Sequence, residues 1–137
     1  MRHLAHCLIR SFALALVLAP RLCAGAVDFT GTWTATFESV LGREHYTFEL
    51  STRDADLSGW IHSWTSQSPV ENGLINGDEI YFVEFIELDG QQIRVSYVGR
   101  RVTANIIEFS RKLGDLEFES LIATRAPTPT IADARSR

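Results

Sequence analysis

The sequence predicts an all-β fold: an eight-stranded antiparallel up-and-down barrel, with no substantial helix in the mature chain. Three observations carry this. First, the stretch from Asp28 to Glu38 reads DFTGTWTATFE, in which Phe29, Gly31, Trp33, Ala35 and Phe37 alternate with Asp28, Thr30, Thr32, Thr34, Thr36 and Glu38. Period-two alternation over a full strand length describes a sheet with one covered face and one wet face. Second, turn signals recur at short, even intervals: Leu41-Gly42-Arg43, Asp54-Ala55-Asp56, Ser66-Gln67-Ser68-Pro69, Asn76-Gly77-Asp78, Asp89-Gly90, Ala104-Asn105 and Gly114-Asp115. Asn-Gly and Asp-Gly tolerate the positive φ angles that tight hairpins require. Third, no segment carries an apolar period of 3.6, the mark of an amphipathic helix.

These turns divide the chain into strands near 28–38, 44–52, 57–64, 69–75, 79–87, 91–99, 101–111 (bent or bulged near Thr103) and 116–125. Short loops without crossovers favour a barrel that closes on itself and leaves no edge exposed. Strand parity assigns an interior set of Phe29, Trp33, Phe37, Tyr46, Phe48, Leu50, Leu57, Ile61, Ile80, Phe82, Ile86, Ile93, Val95, Tyr97, Ile107, Phe109, Phe118 and Ile122. Gly31, Ala35, Gly59, Ser63 and Gly99 interleave as small residues. An eight-stranded barrel is just wide enough to be filled by side chains or to hold one small ligand. This many aromatic and branched residues favour a filled interior, with any cavity at a mouth.

The barrel occupies 27–125, between a leader and a tail. Residues 1–26 combine Arg2 and Arg10, an apolar run of about ten residues and Ala24-Gly25-Ala26, the pattern of a secretory signal peptide. The run is shorter than the roughly 20 apolar residues a spanning helix needs. Cleavage after Ala26 leaves an exported chain, periplasmic or extracellular. A lipid anchor at Cys23 is disfavoured by Leu22, where lipoprotein processing wants a small residue. Both cysteines, Cys7 and Cys23, leave with the signal, so neither a disulfide nor a cysteine metal site is expected. The leader takes 3 of the 13 basic residues and none of the 17 acidic ones, so the mature net charge is −7. That acidity argues against nucleic acid, whose phosphates call for a basic face. From Ala126 onward the composition turns to Pro, Thr and Ala, which reads as a disordered tail over 126–137.

Three features depart from the strand pattern. Glu84 falls between Phe82 and Ile86, on a face that should point inward. An unpaired buried carboxylate is costly and either finds a partner or becomes neutral. It is therefore either a rim carboxylate, solvated or partnered by Arg111, or a ligand-orienting or acid/base group at a pocket mouth. Trp60, His62 and Trp64 have the opposite parity to Leu57, Gly59 and Ile61. They form either an outer aromatic face able to stack on sugars or meet a partner, or, after a register shift, part of the core. His45 and His62 lie on different strands with no acidic residue at ligand spacing, so no metal site is expected. No nucleophile elbow, phosphate loop or zinc-protease motif is present, and no cofactor is implied.

Gly31-Thr32-Trp33, at the head of the first strand, resembles the Gly-x-Trp signature of the lipocalin/calycin group. Phe29-Thr-Gly-Thr-Trp33 also resembles the first strand of avidin-type barrels. Leu57-Ser-Gly59 and Ile75-Asn-Gly-Asp-Glu-Ile80 are similar to turns of small lipocalin-like domains exported by bacteria. The resemblance implies that Trp33 closes the barrel base beneath an arginine from the last strand, by position Arg125.

The reading that results is an exported binding barrel, monomeric or weakly dimeric. Its ligand is expected to be a small hydrophobic or amphipathic molecule at the open mouth, bounded by Glu84, Tyr97, Trp60 and Trp64. The alternatives are a protein- or glycan-interaction module using Trp60, His62 and Trp64, and a small isomerase or cyclase with Glu84 as acid/base. An outer-membrane barrel is excluded because outward positions of the first strand are threonines rather than an apolar band.

Overall fold

A computed structural model describes residues 27–116 and 118–127. The leader expected over 1–26, and the tail beyond Pro127, lie outside the described residues. The strands follow in chain order: β1 (Gly31–Ser39), β2 (Gly42–Arg53), β3 (Asp56–His62), β4 (Gln67–Pro69), β5 (Glu71–Asn76), β6 (Glu79–Leu88), β7 (Gln91–Thr103), β8 (Ile106–Leu113) and β9 (Phe118–Arg125). β4 and β5 both lie against β3 and are two parts of one interrupted strand. The interruption is held by the Val70 N–H, which donates to the Gly59 carbonyl at 2.9 Å. All pairings are antiparallel, and β9 returns to β1 through Trp33↔Arg125 and Thr34↔Thr124. The result is a closed eight-stranded up-and-down barrel, as the alternation and turn spacing predict. Among the described residues there is no helix long and apolar enough to cross a membrane.

Local chemistry explains the hairpins. Asp89 and Gly90 have φ of 52° and 76°, the pair of positive angles that a two-residue hairpin loop needs between Leu88 and Gln91. β7 runs on past the strand end expected near Gly99, to Thr103, with a register shift between Arg101 and Thr103. Gly99 is thus no break: a Cβ there would come within 2.4 Å of the Phe109 ring and 2.9 Å of Ile80, so its bareness makes room for its neighbours.

The interior is one cluster running from Phe29 and Trp33 through Phe48, Ile61, Phe82, Val95, Tyr97 and Phe109 to Leu121 and Ala123. Each such side chain contributes about 1.5–3 kcal/mol on full burial. The expected interior set needs correction in β9. Phe118 and Ile122 stand outside, 67% and 57% exposed, while Leu121 and Ala123 face inward. Both alternating sets of β9 are partly apolar, so parity alone could not choose between them. The closing register, which sets Arg125 opposite Trp33, decides. Ile86 and Ile93 are only partly buried, at the end of the barrel opposite Trp33.

That same register completes the base. Trp33 is fully buried, its indole N–H donates to the Phe29 carbonyl at 2.9 Å, and the Arg125 guanidinium lies 4.1 Å from its ring centroid. Arg125 also donates from Nη1 to the Thr30 carbonyl at 2.5 Å and from Nε to the Ala104 carbonyl at 3.2 Å. Gly31 has φ of 134°, and a Cβ there would stand 2.6 Å from Arg125 Nη1. Gly31, Trp33 and Arg125 are therefore one device, and the barrel is consistent with a lipocalin-like fold.

Candidate functional site

Above this base, aromatic rings fill the midsection. Phe48 stacks on Phe109 at 5.2 Å and Phe82 on Tyr97 at 4.6 Å, and Phe48 and Tyr97 meet edge to face at 5.9 Å. Such offset and T-shaped pairs each contribute about 0.5–1.5 kcal/mol beyond their burial.

Beyond the rings the interior turns polar. The period-two order of β8 that turns Ile107 and Phe109 inward also turns Arg111 inward. Its register places Arg111 beside Tyr97 of β7 and Glu119 of β9. Arg111 is fully buried. Its guanidinium carbon lies 5.1 Å from the Phe37 ring centroid, 5.0 Å from Tyr46 and 6.0 Å from Tyr97, so three rings cage the cation. Glu119 Oε2 approaches Nη1 at 3.6 Å. Among the described residues, none of Nε, Nη1 and Nη2 has a hydrogen-bond partner.

Glu84 completes the cluster. It is buried, and the Tyr97 hydroxyl donates to its Oε1 at 2.5 Å. Burial pushes the Glu84 carboxyl above its ordinary range, against the opposing pull of the Tyr97 and Ser68 hydroxyls and of the Arg111 charge. Burial and the Glu84 charge push the Tyr97 phenol well up, and burial pushes the Tyr46 phenol up to about 12 despite Arg111. The end of the barrel thus presents a caged cation, a carboxyl biased towards its neutral form and two phenols that stay protonated.

Of the residues singled out from sequence, the structure brings Glu84 and Tyr97 together in this cluster. Glu84 is no solvated rim carboxylate. Trp60 and Trp64 lie outside the wall, 46% and 75% exposed, which corrects the expectation that they share a mouth with Glu84. His62, half-buried, faces Glu49 at 3.4 Å, and His45 meets the Trp64 ring at 5.5 Å. Trp60 and His62 leave the face of β3 opposite to Leu57 and Ile61, and Trp64 lies in the loop after β3, so this outer aromatic face is separate from the interior cluster. Arg111 is caged with Glu84 rather than hydrogen-bonded to it. Glu119 and Tyr46 complete the cluster, and sequence reasoning assigned neither to a site. For Glu119 the usable signal was its cross-strand place beside Arg111.

One seam of the wall is incompletely zipped. The β1–β9 ladder stops after two residue pairs. Further along, Glu119 spans the gap, its Oε1 accepting from the Val40 N–H at 2.8 Å. A groove of about 950 Å3 lies along the outer wall here, between Thr36 and Phe37 of β1, Leu121 and Ile122 of β9, and Val98 of β7. Phe37 belongs both to this groove and to the Arg111 cage.

Comparison of the chain with protein-family models, with curated proteins and with solved structures gives no match.

Proposed function

We propose that this chain is an exported binding barrel that takes one small hydrophobic or amphipathic molecule at the Arg111 end of its interior. The observation that supports this reading is the orphaned guanidinium. Burying a charge costs several kcal/mol per ion, and apolar residues of similar volume are often neutral or stabilising in its place. Three aromatic faces return part of that cost, about 0.5–2 kcal/mol each, but give the N–H groups no acceptors. A fully buried cation whose N–H groups have no hydrogen-bond partner among the described residues is a mark of function more than of stability. The packed midsection keeps a ligand out of the base. Ile86 and Ile93, half-buried at the same end, supply an apolar collar.

The test is calorimetric titration of the mature protein with neutral amphipaths such as 1-octanol. Saturable one-to-one binding with a negative heat-capacity change is expected, as apolar burial requires. Absence of binding across a series of chain lengths would remove the reading. The exposure of Trp60 and Trp64 favours a second reading, an interaction module on the outer face. In that case Trp60→Ala and Trp64→Ala would abolish binding of a sugar or protein and leave octanol untouched.

A further inference from the structure

The outer wall carries a surface whose composition selects its occupant, and this step rests on the second reading just given, the outer interaction face. We propose that the face formed by β1, β2, β3 and β4 binds an uncharged oligosaccharide of flat, all-equatorial rings. The chain lies along β2, with one ring on Trp60 and another on Trp64.

Strand register builds the platform. One cross-strand row holds Thr32, Glu49, Trp60 and Pro69, and the next holds Thr34, Thr47, His62 and Gln67. A third row holds Thr36 and His45, whose side chains are hydrogen-bonded at 2.9 Å, and the Trp64 ring lies 5.5 Å from that of His45. Trp64 stands in the turn after β3, which is tied where the Ser63 N–H donates to the Ser66 carbonyl at 2.9 Å and the two hydroxyls meet at 2.8 Å. Both indoles are exposed, and each is presented by a braced backbone. Glu49, beside Trp60, and His45, beside Trp64, are two rows apart on β2. The indoles are thus roughly 13 Å apart along the strand, the length of about three pyranose rings in an extended chain.

Composition then separates a sugar from a protein partner. The three rows offer hydroxyls, one amide, two imidazoles and one carboxylate, with no Val, Leu, Ile or Met among them. An indole that anchors a protein interface sits in a desolvated apolar core. Here each indole is fenced by polar side chains instead. A sugar ring matches that arrangement, because its axial C–H groups lay an apolar face on the indole while its equatorial hydroxyls point sideways to the strand rows. Glu49 supplies an acceptor for those hydroxyls. Its side chain is 55% exposed, and it approaches His62 Nε2 only to 3.4 Å, a nitrogen with no hydrogen-bond partner among the described residues.

Charge narrows the class further. The rows contain no Lys or Arg, and Arg43, beyond them, is paired with Glu38 at 2.7 Å. A sulfated or carboxylated sugar therefore meets Glu49 with no cation to offset it, a like-charge contact that is costly. Linkage matters too. An extended chain reaches both indoles, whereas a chain that coils through axial linkages turns away after one.

The experiment is calorimetric titration of the mature protein at pH 7 with cellohexaose, maltohexaose and dextran sulfate, repeated on Trp60→Ala, Trp64→Ala, the double variant and Glu49→Gln. Wild type is expected to bind cellohexaose saturably, maltohexaose much more weakly and dextran sulfate not at all. Each single tryptophan variant should weaken cellohexaose by roughly tenfold, the double variant should abolish it, and Glu49→Gln should weaken it several-fold. Octanol binding should be the same in all of them, and urea midpoints should match wild type because both indoles are exposed. Equal binding of cellohexaose and maltohexaose, lost in the double variant, would overturn the flat chain and leave the outer face standing. Binding of dextran sulfate alone would overturn the uncharged ligand. Absence of any sugar binding would overturn the oligosaccharide, and a blue shift of tryptophan emission with rising protein concentration would then assign the face to a second copy of this chain. Cellohexaose binding untouched by the double variant would overturn both the proposal and the outer-face reading.

Discussion

The base of the barrel offers the sharpest test of how the chain closes. Arg125→Ala removes a guanidinium lying 4.1 Å above the Trp33 ring centroid, together with its bonds to the Thr30 and Ala104 carbonyls. Hydrogen bonds from a charged donor contribute about 1.5–3 kcal/mol when buried. Arg125 is half-buried, so roughly 1 kcal/mol for each is the better figure. The cation–π contact over a fully buried indole adds about 1 kcal/mol. The expected loss is therefore about 3 kcal/mol, from a domain whose whole stability is of order 5–15 kcal/mol. Urea unfolding of the mature chain measures it, as a lower midpoint at unchanged slope. Arg125→Lys keeps the charge and loses the fork, and should recover less than half of the deficit. A loss below 1 kcal/mol in Arg125→Ala would mean that the β9–β1 closure does not depend on this device, and the reasoning from the Gly31–Trp33–Arg125 arrangement would fail.

Three further outcomes are expected. Glu84 titrates near 4.5 in an unfolded chain and higher when folded, because burial opposes its charge. Below 4.5 both states hold the proton and the cost vanishes; as pH rises through the folded value, stability falls. Glu84→Gln, which keeps an oxygen for the Tyr97 hydroxyl, should flatten that decline when urea midpoints are compared between pH 4 and 8. Gly99→Ala drives a methyl into Phe109 and Ile80 and should cost about 1–3 kcal/mol in the same assay; an unchanged midpoint would show that the midsection has slack. Iodide should quench most of the tryptophan emission, from Trp60 and Trp64, and the Trp60→Phe/Trp64→Phe double variant should leave a blue-shifted, unquenched signal from Trp33.

Much of the fold is legible in the sequence because β1 is unambiguous: four threonines on one face and Phe29, Trp33 and Phe37 on the other admit one orientation. β9 is not legible in the same way. Phe118 and Ile122 outweigh Leu121 and Ala123 in hydrophobicity, and only the tertiary closure against Trp33 shows which pair is inside. The site divides similarly. Glu84 stands out because an acid between Phe82 and Ile86 breaks the alternation, and Tyr97 follows from parity on the adjoining strand. Arg111 is equally implied by Ile107 and Phe109, four and two residues before it. A cation is nevertheless read as surface by default, since guanidinium groups are almost never fully buried unless paired. Glu119 inherits the β9 ambiguity. Whether Trp60 faces in or out rests on the register of β3 against β2, which pairs Trp60 with Glu49 and Ile61 with Phe48 and so fixes Trp60 outside, while Trp64 lies in the loop after β3.

The most direct measurement is native mass spectrometry of the mature protein purified from its own host, followed by organic extraction. A stoichiometric small hydrophobic or amphipathic passenger is the expected result. A protein that is empty in every preparation, and that takes up neither octanoate nor octanol afterwards, would contradict a binding role for the caged end of the barrel.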